Sequence, residues 1–409
     1  MPARWSHKVG GQDLPNLAQR YGALRERSLA LAATLSDEDC GAQSMPDASP
    51  VKWHLAHTTW FFETFILERG EDDFAPFHPA FRVRFNSYYN GIGERHPRAR
   101  RGLLTRPGMA EVRAYRANVD ARMARLLAQR TGDAWLEQLV TLGLQHEQQH
   151  QELILTDVLH LLAHNPLLPA CWTAPSPGAS APVPGPGPLD WISFDGGVSA
   201  IGHAGDGFCF DNELPRHRVF VEPFQLAARL VTNAEYLAFI NAGGYRDPSL
   251  WLAEGWDFVN AQVLAHPLYW RQDGRGDWHE FTLHGEGKLE LNAAVTHLSL
   301  FEAAACAQFM GARLPTEAEW ELAACSDAAA SLSQLFGQCW QWTSSSYAPY
   351  PGYSCASGAL GEYNGKFMLN QYVLRGSSRA TPPGHARASY RNFFPASARW
   401  QFSGLRLAK

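Results

Sequence analysis

Two histidines four residues apart are the clearest sign of chemistry in this chain. His146 and His150 bracket the segment HEQQH. On a helix, residues i and i+4 lie one turn apart on the same face, so both imidazoles can reach one metal ion. Hydrophobic residues and Asp157 share roughly that face, which predicts that the pair points into a helical bundle. The spacing therefore predicts part of a metal site.

HEQQH also matches the HExxH motif of zinc proteases, which need a third metal ligand further along the chain. The extended form of that motif places a glycine and a histidine where this chain has Leu153 and Thr156. The other common form uses a downstream glutamate, but no glutamate occurs between Glu152 and Glu213. The missing third ligand argues against a zinc protease.

A third candidate ligand lies in the segment WHLAHTTWF, residues 53–61. His57 shares a helical stripe with Trp53, Trp60 and Phe61, which predicts that its imidazole is buried, whereas His54 falls towards the edge of that stripe. A buried imidazole is costly without a partner, and alone it is more often a hydrogen-bonded core residue. Opposite a second helix that carries HxxxH, the interpretation as a metal ligand is favoured.

Three neutral imidazoles leave open positions on an ion, which is typical of a catalytic metal site. Zinc, iron and copper all accept histidine, so the donor atoms alone do not identify the metal. Glu152 is either an acceptor for the N–H of a ligand or a solvated helix residue. His160 and His164 repeat the i, i+4 spacing in the last turns of the same helix, where the helix dipole favours imidazole, and we interpret them as structural.

Length and composition indicate a globular enzyme with two domains. A chain of 409 residues is too long for one ordinary hydrophobic core. Its content of 45% hydrophobic and 18% charged residues excludes a disordered chain. The formal net charge is −5, and the single dense basic patch spans residues 95–101. This charge pattern argues against nucleic acid as a partner.

The chain carries no sign of export or of membrane insertion. Residues 1–11 lack the hydrophobic stretch of a signal peptide, and no segment is apolar for long enough to cross a bilayer. Seven cysteines are scattered without a CxxC pair, which is typical of reduced thiols. We therefore expect a cytoplasmic protein, and nothing in the sequence indicates its oligomeric state.

A segment rich in proline and glycine, residues 175–188, separates two halves of different texture. We predict a helical domain at 1–172, a linker at 173–189 and a second domain at 190–409. Helical periodicity or start signals predict four helices in the first half: 14–35, 47–69, 108–131 and 134–164. The second half reads as a loop-rich α+β domain with two helices, at 232–241 and 299–310.

Several motifs, in this order, resemble the iron(II)-dependent sulfoxide synthases of the ergothioneine pathway. WHLAH at 53–57 and HEQQHQE at 146–152 are similar to that family's divided iron site, and FNSYYNGIGERHPRARRGLL at 85–104 to its active-site loop. RLPTEAEWE at 313–321 resembles the signature of the formylglycine-generating-enzyme fold, and residues 350–408 resemble the family's terminal segment. The resemblance implies a DinB-like four-helix bundle followed by a C-type-lectin-like domain.

The resemblance implies an oxidative C–S bond formation with Fe(II) as the cofactor. The substrates would be O2, Nα-trimethylhistidine and a thiol, either cysteine or γ-glutamylcysteine. The loop FNSYY resembles the branch that uses free cysteine. Three alternatives remain open: a selenoneine synthase with a selenosugar donor, an ovothiol-type synthase that attacks a different imidazole carbon, and a non-oxidative DinB-like thiol transferase.

The resemblance also assigns roles to residues of the loop at 85–104 and of the fourth predicted helix. Tyr88 and Tyr89 match the loop tyrosines that donate a proton or a hydrogen atom in one branch of the family, whereas other branches supply this tyrosine from the C-terminal domain. At least one of the pair is expected to pack among aromatic residues. Arg98 and Arg101 match arginines that hold the carboxylate of the thiol substrate, a task suited to guanidinium. Gln149 matches the residue that hydrogen-bonds the substrate imidazole.

Near the C-terminus, Asn392, Phe393 and Phe394 match the region that holds the trimethylammonium end of the substrate. Aromatic rings attract a quaternary ammonium by roughly 0.5 to 2 kcal/mol. Other family members carry Trp-Asp after this asparagine, so Phe-Phe leaves the cation without an acidic partner here. Cys339 and Cys355 do not reproduce the copper-binding pair of the sulfatase-modifying branch. We therefore expect the second domain to be a substrate wall, with the active site between the domains.

Overall fold

A computed structural model describes residues 16–172, 187–355, 361 and 364–409. Three regions used above lie partly or wholly outside this range: the N-terminal residues 1–15, most of the predicted linker at 173–186, and residues 356–360, 362 and 363 of the segment 350–408. Within the described ranges, no helix is long and apolar enough to cross a membrane.

The first half is a helical bundle, as predicted. Its helices are α1 Leu17–Ala32, α2 Asp37–Gly41, α3 Val51–Phe62, α4 Glu68–Gly70, α5 Phe81–Arg84, α6 Met109–Gln129 and α7 Ala134–Ala163. A π-helical turn, Glu63–Leu67, joins α3 to α4, so the chain is helical without a break from Val51 to Gly70. The four long helical segments agree with the predicted ranges within four residues at each end.

Helix α3 lies at the centre of the bundle, and every one of its twelve residues is buried. It packs against both α6 and α7. Glu147 of α7 ties these helices to α1, because its carboxylate accepts from Arg25 Nη1 at 2.8 Å and Ser28 Oγ at 2.6 Å and also pairs with Arg116. Burial alone would raise the pKa of Glu147, but Arg116 and Arg25 lower it to about 2. The α7 register is thus held by an ionised carboxylate inside the bundle.

The second half is an α+β domain, which confirms the predicted fold class. Its strands are β1 Trp191–Phe194, β2 Gly197–Ile201, β3 His217–Val221, β4 Phe224–Ala227, β5 Trp270–Gln272, β6 Trp278–Thr282, β7 Gly285–Lys288, β8 Trp340–Ser346, β9 Tyr372–Gly376, β10 Asn392–Phe394 and β11 Ser403–Gly404. The largest sheet has the order β10-β9-β8-β11, in which β11 pairs with β8 in parallel and the other pairs are antiparallel. The other strands form two two-stranded sheets, β1-β4 and β2-β3, and one three-stranded sheet, β5-β6-β7.

The prediction of two helices in this domain was incomplete. Its helices are α8 Asn233–Asn241, α9 Ala253–Gln262, α10 Leu300–Phe309 and α11 Glu317–Ala324. Helix α11 has only eight residues, too few for a clear periodicity, and α9 was missed although it is as long as the predicted helix α10. Helix α11 nevertheless begins with a capping box between Thr316 and Glu319, a signal that could have identified it.

Candidate metal centre

Helices α3 and α7 bring the three predicted ligands together in the middle of the bundle. One nitrogen from each of His57, His146 and His150 lies within 4.8 Å of the other two. All three side chains are buried. The Nε2 atoms of His57 and His146 are 3.2 Å apart. Two ring nitrogens facing each other at this distance are the arrangement that a shared cation would need.

The orientation of His57 is determined by its surroundings. Its Nδ1 lies 2.6 Å from the carbonyl oxygen of Phe85, so Nδ1–H donates and the lone pair remains on Nε2. The ring stacks on Trp53, with ring centroids 4.5 Å apart and an angle of 12° between the ring planes. It also stacks on Trp60, with a centroid distance of 5.5 Å and an angle of 17°. His57 therefore presents a fixed nitrogen donor towards His146.

The protonation of the triad also suits a metal. Burial lowers the pKa of His146 to about 3, and burial followed by the charge on His146 lowers the pKa of both His57 and His150. Near neutral pH all three imidazoles are neutral, the form that binds metal ions. Three neutral nitrogens without a carboxylate fit iron(II), and equally zinc or copper.

His54 is the main correction to the sequence analysis, which placed it at the edge of the α3 stripe. The side chain is buried, with Nδ1 at 2.8 Å from His150 Nδ1 and Nε2 at 3.0 Å from Asp157 Oδ2. Asp157 lies seven residues after His150 on α7, on the face that the sequence had marked as inward. The sequence marked Asp157 as inward-facing, but no local pattern linked it to His54.

The two glutamates beside the histidines have other tasks. Glu147 is ion-paired inside the bundle, so it is not available as the general base of a zinc protease. Glu152 does not accept from a ligand histidine. Its carboxylate accepts instead from three donors of the second domain: Trp340 Nε1 at 2.7 Å, Ser378 Oγ at 2.5 Å and Thr381 Oγ1 at 2.8 Å. The α7 turn that follows His150 is thus docked on the second domain.

The two loop tyrosines differ in burial and in the residues that they contact. The Tyr89 side chain is fully buried, and its ring lies 5.6 Å from Trp60 and 5.1 Å from Phe65 between centroids. Tyr88 is only partly buried and contacts the second domain, since its ring lies 5.1 Å from that of Phe367. Tyr88 therefore lies at the boundary of the two domains, and Tyr89 in the core of the first.

The two arginines of the loop differ in the same way. Arg101 is buried, lies 3.3 Å above the ring of Trp53, and donates to Ser49 Oγ at 2.9 Å and Ser87 Oγ at 3.1 Å. It makes no ion pair with a carboxylate of the described chain. Arg98 is exposed and donates to the carbonyl oxygen of Asp47. Trp53 stacks on His57, so Arg101 is the cation next to the histidines.

The candidate residues for the trimethylhistidine lie on both domains. Gln149 of α7 donates from Nε2 to the hydroxyl of Tyr390 at 2.6 Å, so it reaches across the domain boundary. Phe393 stacks on Tyr347 at 4.1 Å and 9°, and lies 6.0 Å from Phe367, the ring that contacts Tyr88.

The other two residues of this segment are less directly placed. Asn392 begins β10, and its side-chain oxygen accepts from the backbone N–H of Phe393 at 2.9 Å. The ring of Phe394 lies 6.0 Å from that of Trp400 and makes no ring contact within the aromatic set of Tyr347, Phe367 and Tyr88. Of the two phenylalanines, Phe393 is the one that the structure brings towards Tyr88.

Comparisons with known proteins cover both domains. Residues 20–154 match the DinB superfamily, and residues 187–331 and 326–409 match the sulfatase-modifying factor enzyme 1-like domain. The hercynine oxygenase of Mycolicibacterium smegmatis is 32% identical over 448 residues, with 96% of this chain and 98% of the relative covered. That of Mycobacterium tuberculosis is 31% identical, with the same coverage. The formylglycine-generating enzyme of Streptomyces coelicolor is 35% identical over 37% of this chain. With this identity over nearly its full length, the chain belongs to the hercynine oxygenase family of sulfoxide synthases.

Proposed function

We propose that this protein is an O2-dependent sulfoxide synthase that joins the sulfur of cysteine to an imidazole carbon of Nα-trimethylhistidine. Iron(II) would be held by His57, His146 and His150. The observation that carries the proposal is the convergence of these three neutral imidazoles, in a chain related over nearly its full length to hercynine oxygenases.

Bound iron(II) would supply one-electron redox chemistry and open positions for the thiol sulfur and oxygen. The protein would do the rest by positioning and by proton transfer. Three histidines would take up only part of the coordination sphere and leave the remaining positions for substrates. The burial of the triad excludes bulk water from the reacting atoms.

Tyr88 is our candidate for the proton donor. A phenol is an O–H donor whose proton can be transferred to a reacting atom. Tyr88 is partly buried and lies where the first domain contacts Phe367 of the second, whereas Tyr89 is enclosed by the core. We therefore assign the transfer to Tyr88 and a packing role to Tyr89.

The trimethylammonium end of the substrate would lie against aromatic rings of the second domain. Phe393, Phe367 and Tyr347 form a continuous aromatic set next to Tyr88. Cation–π attraction of roughly 0.5 to 2 kcal/mol per favourable ring would replace the acidic residue that is absent after Asn392. Gln149, whose amide contacts the hydroxyl of Tyr390, would hydrogen-bond the substrate imidazole.

The thiol substrate would be anchored by Arg101. A buried guanidinium without a carboxylate partner is costly, and a substrate carboxylate would remove that cost. Arg98, the second arginine of the loop, is exposed and donates to a backbone carbonyl. One buried anchor fits the single carboxylate of cysteine better than the two of γ-glutamylcysteine, so we propose free cysteine.

The proposal includes the cytoplasm as the place of action. None of the seven cysteines, all of which lie in the described ranges, forms a disulfide. Reduced thiols throughout the chain are typical of a reducing compartment. Proteins and nucleic acids are not part of the proposed reaction, whose substrates are all small molecules.

The test is oxygen uptake by the protein loaded anaerobically with iron(II). Nα-trimethylhistidine would be supplied with cysteine or with γ-glutamylcysteine, and the products identified by mass. We expect uptake coupled to a sulfoxide adduct with cysteine, and an Arg101→Met variant that needs a much higher cysteine concentration. An adduct with γ-glutamylcysteine alone would refute the thiol assignment.

Absence of any adduct from an iron-loaded protein would refute the synthase proposal for these substrates. A selenosugar donor would be tested next, followed by the position of the bond on the imidazole ring. Thiol transfer without oxygen uptake would identify the non-oxidative alternative.

A further inference from the structure

His54 makes contacts that the proposed reaction does not use directly. It is 2% exposed and sits between a metal-ligand candidate and a carboxylate, at 2.8 Å from His150 Nδ1 and 3.0 Å from Asp157 Oδ2. Both neighbours belong to α7, whereas His54 belongs to α3. The imidazole therefore bridges the two helices that carry the ligands.

The direction of these hydrogen bonds follows from Asp157. Its Oδ2 accepts from the backbone N–H of Ser49 at 2.8 Å, which identifies this oxygen as an acceptor. His54 Nε2 must then carry the proton in its bond to Asp157, and in a neutral ring the lone pair is left on Nδ1. That lone pair accepts from His150 Nδ1–H. His150 is left with a free lone pair on Nε2, the nitrogen available for a metal.

His57 is oriented by the equivalent arrangement with a different acceptor. Its Nδ1–H donates to the carbonyl oxygen of Phe85, which also leaves Nε2 free. Metal-binding histidines commonly donate their second N–H to a carboxylate or carbonyl, and this contact sets the tautomer and the ring orientation. In this protein the acceptor for His150 is another histidine, with the carboxylate one step further away.

We infer that His54 is a positioning residue for the metal site, which together with Asp157 holds His150 in the tautomer and orientation that bind iron. The inference rests on the proposed metal site, but not on the proposed substrates. It goes beyond the three ligands by adding a fourth histidine that binds no metal itself. The loss of His54 would weaken metal binding only through its effect on His150.

The test compares two amide substitutions of His54 whose side chains differ in length by one methylene group. In His54→Asn the amide oxygen can occupy the place of Nδ1 and accept from His150. In His54→Gln the amide reaches the place of Nε2 and Asp157, and leaves His150 without its acceptor. Iron(II) affinity is measured anaerobically by competition with a chromophoric chelator, and the visible bands of the cobalt(II)-loaded protein report the ligand geometry.

We expect the Gln variant to bind iron(II) about 10- to 100-fold more weakly, with altered cobalt bands, and the Asn variant to stay close to the wild type. A second variant, Asp157→Asn, leaves His54 in place and should lose about 10-fold, because a neutral amide accepts more weakly than a carboxylate. The matched control is His160→Gln, a buried histidine of the same helix that contacts Ser44. Melting temperatures show which variants are folded.

The outcomes separate this inference from the proposed function. If the wild type binds no metal, the metal site itself is refuted. If the wild type binds iron(II) and folded Gln and Asn variants bind it equally well with unchanged cobalt bands, the positioning role of His54 is refuted and the metal site stands. If the Gln variant does not fold, wild-type affinity in Asp157→Asn would refute it.

Discussion

Helix α7 carries two histidine pairs with the same spacing, and only one of them belongs to a site. The rings of His146 and His150 lie 4.6 Å apart between centroids, and those of His160 and His164 lie 4.3 Å apart. The first pair faces His57 and is buried. The second pair lies about four turns later, where His164 is exposed.

The difference lies in what each pair meets. His160 Nδ1 contacts the hydroxyl of Ser44, and His164 Nδ1–H donates to the carbonyl of His160 in its own helix. No third histidine or carboxylate completes a metal-sized group there within the described residues. The i, i+4 spacing thus provides two neighbouring imidazoles, and a metal site also needs a third donor and fixed tautomers from a neighbouring helix.

The largest expected effect is the removal of the third donor. His57→Ala should weaken iron(II) binding by more than about 100-fold, beyond the usual range for changes around a ligand, and abolish coupled oxygen uptake. His164→Ala should leave both unchanged. Metal content and oxygen uptake of the two purified variants are the measurements, and equal loss in both would contradict the distinction between the pairs.

A second prediction concerns the carboxylate that holds the first pair in register. Glu147→Gln leaves Arg25 and Arg116 without their buried anion, and should lower the free energy of unfolding by about 3 to 5 kcal/mol. The control is Glu137→Gln, an exposed position of the same helix, with an expected change within about 0.5 kcal/mol. Chemical denaturation of the metal-free proteins would measure both. A small effect at Glu147 would show that the ion pairs are dispensable.

Acidification should destabilise the metal-free protein through both pairs. Burial lowers the pKa of His146 to about 3 and that of His160 to about 4, whereas an unfolded histidine titrates near 6.5. The unfolded chain therefore binds more protons, and stability is lost as the pH falls from about 6.5. For His146 the loss at pH 5 is about 2 kcal/mol.

Denaturation at pH 7 and pH 5 would test this pH dependence. The variants His146→Gln and His160→Gln should each show a shallower fall in stability than the wild type. Iron(II) should stabilise the wild type and His160→Gln by about the same amount at both pH values, and His146→Gln by less, because the native ligands are already neutral at pH 5. The same slope in all three proteins would contradict the assignment.

The smallest expected effect is on the stability of His164→Ala. The exposed side chain contributes one hydrogen bond to its own helix, so the free energy of unfolding should change by no more than about 0.5 kcal/mol. A larger loss, measured by denaturation at pH 7, would indicate that the second pair has a role that its contacts do not explain.

The sequence predicted the parts of this site that depend on periodicity. The helices that carry His57, His146 and His150 follow from the spacing of hydrophobic residues, and so does the inward face of α7. The contact between His54 and His150 could not be predicted, because it depends on the rotation of α3 against α7 about their axes. A difference of one residue on the helix turns a side chain by about 100°.

The docking of the second domain on α7 could not be predicted from the sequence either. Glu152 meets Trp340, Ser378 and Thr381, which follow it by about 190 to 230 residues, so no local pattern links them. The short helix α11 was missed for a different reason, since its start signal was present and its periodicity was too brief to support it. Local capping chemistry is thus a better guide than periodicity for helices of eight residues.

The most direct test of the central claim is anomalous diffraction at the iron edge, from crystals of the protein loaded anaerobically with iron(II). We predict one peak per chain, about 2.1 Å from a ring nitrogen of each of His57, His146 and His150. A peak at His160 and His164, or no peak at the triad of a loaded protein, would contradict the account.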